Sequence, residues 1–185
     1  DFSQLKFEDY TVKYKTFAAQ KIIFCEGAQA IHNPFFKNVP FVLDKGEAIL
    51  IQSEKLQTKD IVKDTLSIVP QYSAEGAIKN YWVGATNAWN ATDDKPTEEK
   101  KSEILQKLTP FLNFEFDVQN HVAAIRPTTK DRRPFLGASK DHSNVFIFNG
   151  LGSKGSLLAP FWAEHLVQHI YFEQQLDKLV DVKRF

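Results

Sequence analysis

Apolar residues in this chain fall mostly into short runs of strand length, and only two stretches space them as helices do. Residues 11–17, TVKYKTF, alternate apolar and polar positions and predict a strand on a half-exposed sheet. Residues 21–25, KIIFC, form a continuous apolar run. They predict a buried strand that opens into Glu26, Gly27 and Ala28, where small residues permit close packing or close approach of a ligand. Asn33-Pro34 and Val39-Pro40 punctuate the loop that follows. In residues 41–52, FVLDKGEAILIQ, apolar runs flank Lys45-Gly46, which predicts a strand, a turn and a second strand. Residues 65–69 and 77–86 predict two more strands joined through Gly76 as a hairpin, so the middle of the chain reads as a mainly antiparallel sheet.

The first helical stretch follows the charged linker at residues 93–96. Thr97 suits an N-cap, Glu98 and Glu99 suit a first turn, and Ile104, Leu105 and Leu108 mark one apolar face. Pro110 is expected to end or bend that helix, after which FEFDV and HVAAI, residues 114–118 and 121–125, read as strand.

The second lies in residues 144–170, where the apolar run Val145 to Phe148 leads into Gly150, Gly152 and Gly155, spaced G-x-G-x-x-G, and then a helix. Free N–H groups at that helix start suit an anion or a polarised carbonyl of a ligand. Pro160, deeper than the first turn, is expected to kink or delay the helix. A dinucleotide fingerprint needs a further parallel strand and an acidic residue beyond the glycines, and the residues after Ile170 offer no apolar run of strand type. An NAD-binding domain is therefore poorly supported, and the loop alone fits a ligand contact and a ligand-free tight connection about equally.

Composition narrows the classes. A chain of 185 residues, 43% hydrophobic, with 23 basic and 23 acidic residues, describes a globular protein with no net electrostatic footprint for nucleic acid or an anionic membrane. Its apolar runs are too short to span a bilayer. The single cysteine, Cys25, excludes an intrachain disulfide and is expected to be an inert strand residue, which with the lack of a secretory signal points to a reducing cytoplasm. On the same ground the Asn90-Ala91-Thr92 sequon is set aside. The absence of any methionine suits a partial chain.

Few residues offer chemistry on their own. His165 and His169 stand four apart on the last helix without a third metal ligand or an HExxH pattern, so a surface or packing role is expected and no metal site is assigned. His32, His121 and His142 are scattered, and Ser153 and Ser156 do not make the G-x-S-x-G elbow, which excludes a hydrolase reading. Arg126 ends the strand VAAI before Pro127, a position that suits a bidentate carboxylate contact or a structural ion pair, with Asp131 as a candidate partner.

KIIFCEGAQA, the KGE of residues 45–47, YWVGAT (81–86), AIRPTTKDRRPFLG (124–137) and NGLGSKGSLLAP (149–160), in this order, resemble the D-amino-acid oxidase or glycine-oxidase type of FAD-dependent oxidoreductase. The resemblance implies an α/β (α+β) fold. A mainly antiparallel substrate-domain sheet with flanking helices would occupy residues 41–125, and residues 1–40 and 126–185 would belong to a Rossmann-like FAD domain that is incomplete in this chain. It also implies a C-terminal portion, inactive alone, of an enzyme that moves a hydride from an amine or amino acid to FAD. The resulting imine is hydrolysed by water, and the missing N-terminal FAD-binding segment is a required partner. Gly27, Gly150, Gly152, Ser153, Lys154, Gly155 and Ser156 would line the cofactor. Arg126 would bind a substrate carboxylate, with Tyr81 as a second substrate residue. Where glycine-oxidase relatives often place a second arginine, this chain has Ser153 and Lys154, which leaves the amino acid open. The resemblance also leaves open a tRNA-modifying oxidoreductase of the same fold, a non-enzymatic binding module and a homo-oligomer.

Overall fold

A computed structural model describes residues 1–8 and 10–185, which divide into two compact units. Unit 1 comprises Asp1–Leu43 and Arg126–Phe185, and unit 2 comprises Asp44–Ile125.

Unit 1 opens with a three-stranded antiparallel meander, β1 (Leu5–Glu8), β2 (Thr11–Tyr14) and β3 (Phe17–Ala19). The run KIIFC supplies β4 (Ile22–Phe24), after which Gly27–His32 and Pro34–Phe36 form 3-10 turns. Asn33 is fully buried and caps the second turn by accepting from the Phe35 N–H at 2.9 Å.

Unit 2 is a sheet with one helix against it. β5 runs unbroken over Phe41–Gln52, so the expected turn at Lys45-Gly46 does not form. Lys45 and Glu47 are both buried and carry extended backbone through the glycine. The short β6 (Val62–Lys63), β7 (Ser67–Tyr72), β8 (Ile78–Gly84) and β9 (Ala88–Trp89) follow. The hairpin at Gly76 forms as expected, with Gly76 at φ +84° and β7 antiparallel to β8. Helix α1 (Glu98–Leu112) begins at Thr97, whose hydroxyl accepts from the Lys100 N–H. α1 runs through Pro110 rather than ending there; its last residue is Leu112, two positions later, and its cap Asn113 is in left-handed conformation. Strand β10 (Asp117–Thr129) joins the sheet and carries the chain back into unit 1 at Arg126, and the strand order is β10-β5-β8-β7-β6, with β9 also on β5. Ile49, Ile51, Ile68, Tyr81 and Val83 on one sheet face bury Ile104, Leu108 and Leu112 of α1.

In unit 1 the chain continues as β11 (Phe135–Ala138), unforeseen as a strand, and β12 (Val145–Asn149). β12 lies between antiparallel β11 and parallel β4. Helix α2 (Gly155–Phe172) starts without delay despite Pro160, and buries Leu166 against Leu136 and Phe146. The polar tail returns Val180 and Val182 to the core. No helix among the described residues is long and apolar enough to cross a membrane.

Candidate functional site

In unit 1 the parallel strands β4 and β12 end in glycine turns at the same edge, and one side chain ties them together. Asn149, 4% exposed, donates from its amide nitrogen to the Gly27 carbonyl at 2.9 Å and accepts from the Gly150 N–H at 2.8 Å. Residue type and position made Asn149 findable: it is a polar residue closing an apolar strand directly before the glycines.

The glycines have different duties. Gly150 is required by the chain's own packing: at φ +76°, an added Cβ would lie 2.7 Å from Thr129 Cγ2 and 3.1 Å from the Phe135 ring. Gly27 and Gly152 are also left-handed, at φ +59° and +60°, but face space. A Cβ on Gly27 meets nothing within 4 Å, and one on Gly152 meets only Thr128, from 3.5 Å. The two threonines of RPTT thus support the loop. Thr128 also donates from its hydroxyl to the Val42 carbonyl. Residues Gly152–Lys154 form a 3-10 turn that runs into α2 at Gly155, and neither helix start has a side-chain cap. Ser153, Lys154 and Ser156 are exposed there. Backbone laid bare at two glycines, beside uncapped helical N–H groups, fits a flat ligand carrying polar edge atoms.

Arg126 at the unit 1 end of β10 is half-buried and has a partner within the chain. Asp131 pairs with Arg184 at 3.3 Å.

In unit 2, Tyr81 is 2% exposed, and its hydroxyl is spent on the Leu56 and Thr58 carbonyls at 2.8 and 3.1 Å. Burial pushes the Tyr81 phenol up, with Tyr72 adding to the shift. Trp82 alternates to the sheet face away from α1, flanked in register by Leu50 and Val69, all three half-buried. The KGE segment has a different task. Glu47, wholly buried, accepts from the Thr97 N–H at 2.7 Å and the Thr97 hydroxyl at 3.0 Å. Lys45 Nζ stands 3.6 Å away, and His121 Nε2 lies 3.0 Å from Glu47 Oε2 but out of line for a hydrogen bond.

The remaining candidates are structural. His165 Nε2 accepts from the Asp177 N–H at 3.0 Å, and His169 Nδ1 lies 2.9 Å from the Gln174 carbonyl. Cys25 sits one residue past β4 and is exposed, rather than within the strand; partial desolvation, then Glu26, push its thiol up.

The fold is that of FAD-dependent oxidoreductases of known structure. Iminodiacetate oxidase from Chelativorans sp. BNC1 superposes with a TM-score of 0.76 at 22% identity, covering 96% of this chain and 51% of that one. Residues 5–169 match the DAO family of FAD dependent oxidoreductases, and the chain belongs to that family. Its cofactor is FAD. Glycine oxidase from Bacillus subtilis is 30% identical over 134 residues, which cover 68% of this chain and 35% of that enzyme. A tRNA 5-methylaminomethyl-2-thiouridine biosynthesis bifunctional protein from Acinetobacter baylyi is 47% identical over 51 residues, 28% of this chain and 8% of that protein. The chain therefore spans about half the length of the solved relative and a smaller share of the curated ones.

Proposed function

We propose that this chain is the C-terminal portion of an FAD-dependent enzyme that oxidises the C–N bond of a small amine or amino acid, and that it is inactive alone. The observation that carries the reading is the pair of glycine turns tied by Asn149 at the C-terminal ends of two parallel strands, the edge at which α/β sheets bind ligands. Bound FAD supplies the two-electron acceptor. The chain's part is electrostatic and steric. Gly27, Gly152 and Gly155 let backbone approach the ring, Gly150 shapes the turn, and the first N–H groups of α2, with Ser153, Lys154 and Ser156 beside them, favour negative charge on it. Arg126 is assigned to a substrate carboxylate. Tyr81 enters as support, holding the loop at residues 56–58.

The missing N-terminal FAD-binding segment is the expected partner of β4. The strand stands at one edge of its sheet, with Ile23 42% exposed, and parallel strands are ordinarily covered on both faces.

A second reading, a tRNA-modifying oxidoreductase of the same fold, is favoured by the 47% identical segment and by charge. Unit 1 holds 14 basic and 10 acidic residues and unit 2 holds 9 and 13, so the neutral total conceals a basic half.

The full-length protein decides. It is expected to be yellow, and its flavin band to bleach anaerobically with small amines. Bleaching only with modified tRNA selects the second reading, and a folded protein that cannot be loaded with FAD removes both. Arg126→Ala should raise KM for a carboxylate substrate about ten- to a hundredfold with flavin retained, the scale of a lost charged hydrogen bond. Unchanged kinetics would remove its role.

A further inference from the structure

Unit 1 contains a concavity at the opposite end of β12 from the glycine loop. Its cavity of about 250 Å³ lies between the Pro34–Phe36 turn, the turn joining β11 to β12, and the 3-10 turn Val182–Arg184. The side chains that give it character are Phe35, Lys37, Lys140, Asp141, Lys183 and Phe185. Three lysines and one aspartate therefore stand around an aromatic wall.

The walls are built rather than incidental. Ser139, 5% exposed, donates from its hydroxyl to the Phe35 carbonyl at 3.3 Å, and accepts from the Asp141 N–H at the same distance. That fixes the β11–β12 turn against the first wall. Lys140 donates to the Phe185 carbonyl. The Phe185 ring meets Phe135 edge-on at 5.6 Å, and the Arg184 guanidinium lies against both rings at 4.9 and 4.8 Å. Arg184 is held in turn by Asp131 and the Pro134 carbonyl.

We propose that this cleft binds a phosphate ester bearing an aromatic or apolar group. Lysines drawn from three separate walls suit an anion with several acceptor oxygens, and the phenylalanine wall suits a flat apolar body. The volume lies just below the usual range of ligand sites, enough for a monophosphate on one ring system and too little for a dinucleotide. The site is thus separate from the one assigned to FAD. Two sources share this chemistry, a free phosphate ester and a nucleotide of an RNA strand.

The test is calorimetric titration of the full-length, FAD-loaded protein with phenyl phosphate and with a short single-stranded RNA. Phenyl phosphate is expected to saturate a single site, and Lys37→Glu and Lys183→Glu, both on exposed lysines, to weaken it at least tenfold each, about 1.4 kcal/mol. Lys140→Gln provides a further variant with a milder change. RNA binding that falls in the same variants identifies the nucleic acid source, and RNA binding that does not fall identifies the free ester. Absence of saturable phenyl phosphate binding, or binding indifferent to all three substitutions in folded protein, overturns the proposal. Flavin absorbance and amine turnover in these variants should match the parent. A failure of amine oxidation would sink the proposed activity and leave this site standing.

Discussion

At Gly150 two constraints coincide, a left-handed backbone and a threonine methyl group where a side chain would begin. Gly152 carries only the first. In the flavin-loaded full-length protein, Gly150→Ala should cost about 2–4 kcal/mol and Gly152→Ala about 1–2 kcal/mol, measured by urea denaturation. Equal losses would refute the packing argument. The G-x-G-x-x-G spacing was legible in the sequence, but the difference among its glycines was not, because it depends on Thr128 and Thr129, more than twenty positions upstream. Glu47 presents the same problem in another form. KGE reads as a turn because lysine, glycine and glutamate are commonest on surfaces. Here the carboxylate is wholly buried and caps the residue that starts α1. Glu47→Ala removes one of the two carboxylates beside Lys45, Asp93 remaining at 3.3 Å, and both bonds to Thr97, and should destabilise by about 2–4 kcal/mol; a loss under about 1 kcal/mol in thermal or urea unfolding would show that the cluster is not holding the helix start.

Secondary-structure elements were easiest to foresee where periodicity was long and hardest where proline or glycine interrupted it. The face of Ile104 and Leu108 fixed α1, but Pro110 was expected to end or bend it. Both Pro110 and Gln106, whose carbonyl loses its partner, are exposed, so water supplies the missing bond and the helix proceeds. Pro160 and Ser156 stand in the same relation on α2. β11 escaped notice because its four residues are all buried and include Gly137, leaving no alternation to read. On α1, Glu103 hydrogen-bonds first to Lys100 and also to Lys107, both at 2.7 Å, and these bonds hold its carboxyl below the ordinary value of 4.5. A lowered folded value means the contribution is complete above the ordinary value and is lost as pH falls through the folded one. The group is partly solvated, so the gain is below about 1 kcal/mol. Glu103→Gln should flatten that acid limb of the stability curve, and an unchanged limb would exclude this source.

For the molecule as a whole, ordered motifs carried more than composition did. Five short stretches pointed to the flavoprotein family that the chain proves to belong to, whereas net charge pointed away from any polyanion. The net value hid two opposing halves, because the chain enters unit 2 and returns from it, mixing both charge populations in any running average. The basic cleft beside β11 stayed invisible for the same reason: its lysines come from three places separated by more than forty residues each.

One amide spans the two glycine turns, and few side chains could replace it. An aspartate there could accept but not donate, a serine could not reach both ways, and a glutamine would overshoot. Asn149 makes the two strand ends a single mechanical part: a displacement imposed on one turn is transmitted to the other, so a ligand seated against both is sensed as one event.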